Sequence, residues 1–142
     1  LKVYEFAKLI GESEELESEK LHILRTAAIV HDIGIKISEK KYGSSGGKYQ
    51  EKEGPAVAEP MLCALGYDEA VIDRVLFLIA HHHTYTGIEG EDYQILVEAD
   101  FLVNLFEDGS SRETAEKVRE NIFKTKTGMK YLETLFLTER RS

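Results

Sequence analysis

At 142 residues the chain is about one domain long and large enough to bury a core without staples. Hydrophobic residues make up 42% and charged residues 31%, ordinary values for a globular protein, and the formal net charge is -8, with 26 acidic against 18 basic side chains. That balance argues against a non-specific nucleic-acid binder, which needs a basic face, yet leaves nucleotides open as ligands, because a bound cation and a few lysines offset local acidity.

Cys63 is the only cysteine, so an intrachain disulfide is impossible and a reducing, cytoplasmic setting is the simplest expectation. It lies in the apolar stretch Met61-Leu62-Cys63-Ala64-Leu65 and reads as a buried small hydrophobe rather than a nucleophile. No apolar run reaches the roughly eighteen residues of a membrane span, and no signal-like N-terminus is present. The chain opens at Leu1 without a methionine, as a trimmed sequence would.

Leu1 to Ile10 carries Val3, Tyr4, Phe6, Ala7, Leu9 and Ile10 at helical spacing, with Gly11 expected to stop that helix. After an acidic loop, Ser18 is a plausible cap for a second helix, whose apolar run Leu21, Ile23, Leu24, Ala27, Ala28 and Val30 ends at His31-Asp32. Gly34 follows and would free the backbone to turn. His22 beside this face reads as a packing or surface histidine. From Ser38 to Glu53 the sequence is polar and glycine-rich around Ser44-Ser45-Gly46-Gly47, which predicts a long loop.

A third helix is expected from Gly54-Pro55 to Gly66, with Pro60 kinking it or delaying its start. Asp68 caps a fourth, carrying Val71, Ile72, Val75, Leu76, Leu78 and Ile79 to the cluster His81-His82-His83. A fifth runs from Asp92 to Phe106, and Ser111 to Ile122 and Thr127 to Leu137 complete the pattern. No stretch alternates with period two, so the fold reads as all-α, a bundle of roughly six to seven helices in one domain over residues 1–142.

Ligand-type residues cluster at or near helix ends: His31-Asp32, Gln50 to Glu53, the three histidines and Asp100. An imidazole nitrogen and a carboxylate oxygen are donors to first-row divalent metals. Asp100 lies in the apolar run Leu96-Val97-Glu98-Ala99-Asp100-Phe101-Leu102, where an unpaired carboxylate is costly, so a metal or a strong partner is expected beside it. Each feature also has a plainer reading. His31-Asp32 suits an ordinary helix C-terminus, and Asp100 suits the stripe's edge, paired with a lysine or arginine.

His31-Asp32 within Ala-Ala-Ile-Val-His-Asp-Ile-Gly, then Glu53-Gly54-Pro55, the histidine cluster and Glu98-Ala99-Asp100, in that order, together resemble the HD-domain superfamily of metal-dependent phosphohydrolases. The resemblance runs roughly from Leu1 to Phe106. It implies an HD-type helical bundle in which His31 and Asp32 form the family's doublet and Asp100 its distal aspartate, the three holding a divalent ion. Mn, Fe, Co, Ni, Mg and Zn all suit such donors. His81 and His82 fall where relatives carry additional histidines. The family's first histidine would lie just upstream of Leu1. Gln50, Glu51, Lys52 and Glu53 stand where many two-metal relatives carry a further histidine, which favours one metal or a mixed site.

The implied catalytic set is Asp32, Glu53, His81 and His82, the last three ordering water or protonating a leaving group. Lys36 and Lys48 would meet substrate phosphate, His83 and Tyr85 would shape the rim, and Ser38 to Gln50 would be a lid. The expected partner is a small phosphorylated substrate, above all a nucleotide, with no membrane and no long nucleic acid. The last helices either cover the site or make a homodimer contact. The competing expectation is a signalling module that binds metal or nucleotide without turnover.

Overall fold

The longest apolar helix of the chain, α6 (Glu91–Glu107), is buried on all sides over residues 92 to 100. Such a helix is stable only inside others. Glu91 and Asp92 in its first turn complement the helix dipole. Ile95, Leu96 and Leu102 are almost wholly enclosed, each worth about 2 kcal/mol of burial.

The computed structural model describes residues 2–44 and 46–138. Around α6 stand α1 (Lys2–Ser13), α2 (Ser18–Val30), α3 (Ile35–Tyr42), α4 (Gly47–Ala64), α5 (Glu69–His81), α7 (Arg112–Asn121) and α8 (Lys126–Leu132), the last continuing into a π-helical turn at Glu133–Leu137. The described residues are helical with no strand, as the sequence pattern implies, with one helix more than expected. No helix among them is long and apolar enough to cross a membrane. α1 and α2 pack on α6, α5 bridges α2 and α4, α3 lies on α4, and α8 sits on α6 and α1.

Several local expectations are corrected. The segment from Ser38 to Glu53 is no long loop. It folds into the end of α3 and the start of α4, joined at residues 43–46, with Gly43 in the left-handed region at φ 67°. The segment expected to act as a lid is thus largely helical, its α3 part packed on α4. α4 begins at Gly47 rather than at Gly54 and runs through Pro55 and Pro60, each of which removes one amide donor from the ladder. Its buried face is Glu53, Gly54, Ala58 and Leu62, and Cys63, about 100° round from Leu62, is exposed rather than buried.

Gly11 does not stop α1, which continues to Ser13. The glycine is buried, because a Cβ there would lie 2.8 Å from Leu21 Cδ1 across the α1–α2 contact. The cap position of α2 is Glu17, with Ser18 inside the helix. Gly34 has an ordinary helical φ of -81°, so it serves closeness rather than turning freedom. A Cβ on it would meet Gly54 N at 2.8 Å and Gln50 O at 3.1 Å, both backbone atoms, and one on Gly54 would meet Ile79 Cγ2 at 2.7 Å. This backbone-on-backbone contact sets the distance from the His31-Asp32 turn to α4.

Candidate metal centre

His31 is the residue at which α2 ends, and it is buried. Its Nδ1–H donates to the Ala28 carbonyl at 2.8 Å, which fixes the ring and the tautomer. The free Nε2 faces Asp100 Oδ1 at 3.6 Å across the gap between α2 and α6. Asn104, one turn on, donates to Asp100 Oδ2 at 3.4 Å, leaving Oδ1 for His31. The partner expected for a buried Asp100 is therefore an imidazole rather than a lysine or arginine. Desolvation pulls His31 towards its neutral form, but the Asp100 carboxylate, helped by the Ala28 carbonyl and Asp32, outweighs it and raises its pKa. Burial likewise opposes ionisation of Asp100, yet His31, with His82 and His83 behind it, holds that carboxyl below its ordinary range.

Asp32 is exposed and shares with His31 and Asp100 a cleft of about 380 Å³, closed on one side by Lys2 and Val3 of α1 and on the other by Asn104 and Glu107. The three residues expected to hold the ion thus border one space. The first histidine, expected upstream of Leu1, lies outside the described residues, but the N-terminal end of α1 is at the cleft's edge.

The three neighbouring histidines at the end of α5 have separate environments. His82 is completely buried, its Nδ1–H donating to the Ile79 carbonyl at 2.8 Å and its ring edge-on to His31 at 5.4 Å. Its Nε2 has no partner. Burial, then the charges of His83 and His31, push its pKa down to about 3, so it is neutral with a lone pair available. His83 lies against His82 at 4.0 Å, with its Nε2 3.3 Å from Gln50 Oε1 and its Nδ1 3.4 Å from the Tyr85 hydroxyl. Burial lowers its pKa too, against the pull of Asp100 and Glu51. His81 instead stacks on Phe77 at 4.2 Å and donates to its carbonyl. The structure does not bring His81 to the His31–Asp100 pair.

The same holds for three other expected residues. Glu53 is buried, but its carboxylate accepts from Lys41 Nζ at 3.0 Å and from the Tyr42 hydroxyl at 2.7 Å, tying α3 to α4. Tyr42 and Lys41 together hold it below the usual carboxylate range. Lys36 is exposed on α3, and Lys48, also exposed, pairs with Glu51 at 3.7 Å; neither borders the cleft. The other oxygen of Glu51 accepts from the His83 amide at 3.0 Å and from Thr84 Oγ1 at 2.8 Å, and Tyr93 donates to the carbonyls of His81 and Thr84. These contacts hold the histidine turn in place. Sequence reading overlooked Lys2, Asn104 and Glu107 at the cleft. For the last two the only signal was their spacing of four and seven residues from Asp100, which puts all three on one side of α6.

A family model described as HD domain matches residues 1–124, from α1 through α7. The chain belongs to the HD domain family. No curated protein and no solved structure gives a significant match. HD domains typically bind divalent metals. Among the described residues no three His, Cys, Asp or Glu side chains converge as a complete metal cage. Two of the donors nonetheless stand as a ligand pair would. His31 Nε2 and Asp100 Oδ1 stand near the spacing of two ligands on one ion, each about 2.1 Å from it. Asp32 lines the same cleft, whereas His82, its Nε2 orphaned, lies beside His31 and does not line it.

His82 makes folding of this HD domain pH-dependent when metal is removed. Its folded pKa lies below the unfolded value, so between pH 6.5 and about 3 the unfolded chain takes up a proton that the folded chain refuses. Stability present above pH 6.5 is lost as pH falls through that window, by about 5 kcal/mol at the limit. Urea midpoints measured from pH 7 to pH 4 should fall less steeply in His82→Leu than in wild type. Parallel curves would show that His82 does not resist protonation.

Proposed function

We propose that this HD domain is a cytoplasmic metal-dependent phosphohydrolase acting on a nucleotide or another small phosphate ester. The observation that carries the reading is the His31 Nε2 to Asp100 Oδ1 approach at the floor of the cleft, with His31 Nδ1 held by a carbonyl. A bound divalent ion would lower the pKa of a water and polarise a phosphoryl oxygen. His31 and Asp100 would hold it from the floor and Asp32 from the rim, while Asn104 orients Asp100.

Lys2 is the cation at the cleft and takes the role expected of Lys36 and Lys48, that of meeting substrate phosphate. His82 stays unprotonated at neutral pH, so its part would be to pack against His31 and hold that ring rather than to accept a proton. His83, paired with Tyr85, is better placed than His81 or Glu53 to act beside it. The acidity of the chain, and of Glu107 at the cleft mouth, disfavours long polyanions. The alternative, a module that binds without turnover, has the incomplete donor cage in its favour.

Phosphate release from nucleoside mono-, di- and triphosphates and an aryl phosphate, with Mn, Mg, Co or Ni added in turn, decides between them. Turnover that Asp32→Ala abolishes is the expected result. Silence across the panel from protein that still binds metal would favour the module.

A further inference from the structure

Next to the cleft, and sharing Lys2 and Val103 with it, is a groove of about 330 Å³ whose other walls are Phe6, Leu102, Phe106 and Leu135. Its lining is carbon almost throughout. Phe106 and Leu135 are 68% and 53% exposed, which is unusual for side chains of that size at the edge of a functional cleft. Lys2 Nζ stands 5.2 Å from the Phe106 ring centre, so its ammonium is at the boundary between the two spaces while its stem covers the apolar side.

We infer that the groove receives the organic group of the phosphate ester bound in the cleft, and that this group is apolar: an alkyl or aryl alcohol rather than a hydrogen-bonded nucleobase. The inference rests on the phosphohydrolase reading and narrows its substrate class. Distance supports it. Phe106 follows Asp100 by six residues on α6, about 9 Å along the axis and about 120° round it, and the shared Lys2 and Val103 walls join the two spaces over that step, within reach of a phosphate plus a chain of about six carbons. Chemistry supports it too, because a base would lose its water-bonded edge against walls whose one polar group, the Lys2 ammonium, stands at the junction with the cleft. The cation at the junction is where the phosphate charge meets the apolar tail.

The test uses alkylphosphonates, which cannot be hydrolysed, titrated calorimetrically into the full protein with Mn²⁺ present. Affinity should rise about two- to fourfold per methylene from methyl- to hexylphosphonate and then level off. In Phe106→Ser and Leu135→Ser that rise should flatten to less than 1.5-fold per methylene. Adenosine 5′-monophosphate should bind no tighter than ethylphosphonate. If methylphosphonate binds but chain length has no effect, the groove is filled by another segment of the protein and the inference falls while the phosphohydrolase reading stands. If no phosphonate of any length binds, both fall. Equal slopes in wild type and the two variants would place the tail elsewhere and overturn the assignment of the groove.

Discussion

Asp100→Ala is expected to lower the affinity for Mn²⁺ by at least about a hundredfold, since even loss of a residue that only orients a ligand costs ten- to a hundredfold. The carboxylate stands opposite His31 Nε2, and its second oxygen is already taken by Asn104. Truncation leaves one imidazole at the floor and an exposed Asp32 above it. Asp100→Asn sharpens the test, because it keeps the volume and removes only the charge. The negative charge is also what raises the His31 pKa in the metal-free protein, so that pKa should drop in Asp100→Asn, visible in ring-proton NMR as a titration shifted to lower pH. Unchanged Mn²⁺ binding in Asp100→Ala would mean that the site lies elsewhere.

The second large effect concerns stability, at a carboxylate two residues away that faces the other side of α6. Glu98 is completely buried and accepts hydrogen bonds from Gln94 Nε2 at 2.7 Å, the amides of Lys124 and Thr125 at 2.9 and 3.0 Å, and Thr125 Oγ1 at 2.6 Å. Glu98→Ala strands those donors at once and opens a cavity. Removing one side of such a buried network costs about 3–5 kcal/mol, a large share of the total stability of a small domain. Gly128→Ala attacks the same point from the opposite side, since its Cβ would fall 1.9 Å from Glu98 Oε1 and 2.7 Å from Thr125 Oγ1. Urea unfolding should show both variants strongly destabilised, with Mn²⁺ binding restored wherever the fold survives. A wild-type midpoint in Glu98→Ala would show that the donors find other partners.

The helical pattern was legible because apolar residues recur at i, i+3 and i+4 in nearly every element, and the register of α5 and α6 follows from it directly. His31, Asp32 and Asp100 were legible because each is a costly polar residue at the end or inside an apolar run. What sequence could not give was side-chain direction around a turn. Glu53 lies beside the site in sequence pattern, yet a tyrosine and a lysine from α3 claim it, and α3 itself was invisible because Ile35–Tyr42 has too few apolar residues to show a period. Among three consecutive histidines, about 100° of helical rotation per residue sends each to a different neighbour. The end of α5 turns so that His82, and not His81, edges onto His31. Cys63 was misplaced for the related reason that α4 starts seven residues earlier than its prolines suggest and buries a narrow i, i+4 stripe.

The contacts around α8 tie the C-terminal end of the described chain to its beginning. This helix has seven residues, too few to persist in isolation, and its opening amides are met by carboxylates from remote parts of the chain: Glu14, in the turn just after α1, accepts from the Thr127 amide and hydroxyl across 113 residues, and Glu98 of α6 accepts from the two residues before it. Its only local cap is Thr125, whose own hydroxyl is turned to Glu98. α8 therefore owes its start to α6 and to the turn after α1. The C-terminal turn, and with it the Leu135 wall of the groove, is only as stable as the packing of α1 against α6.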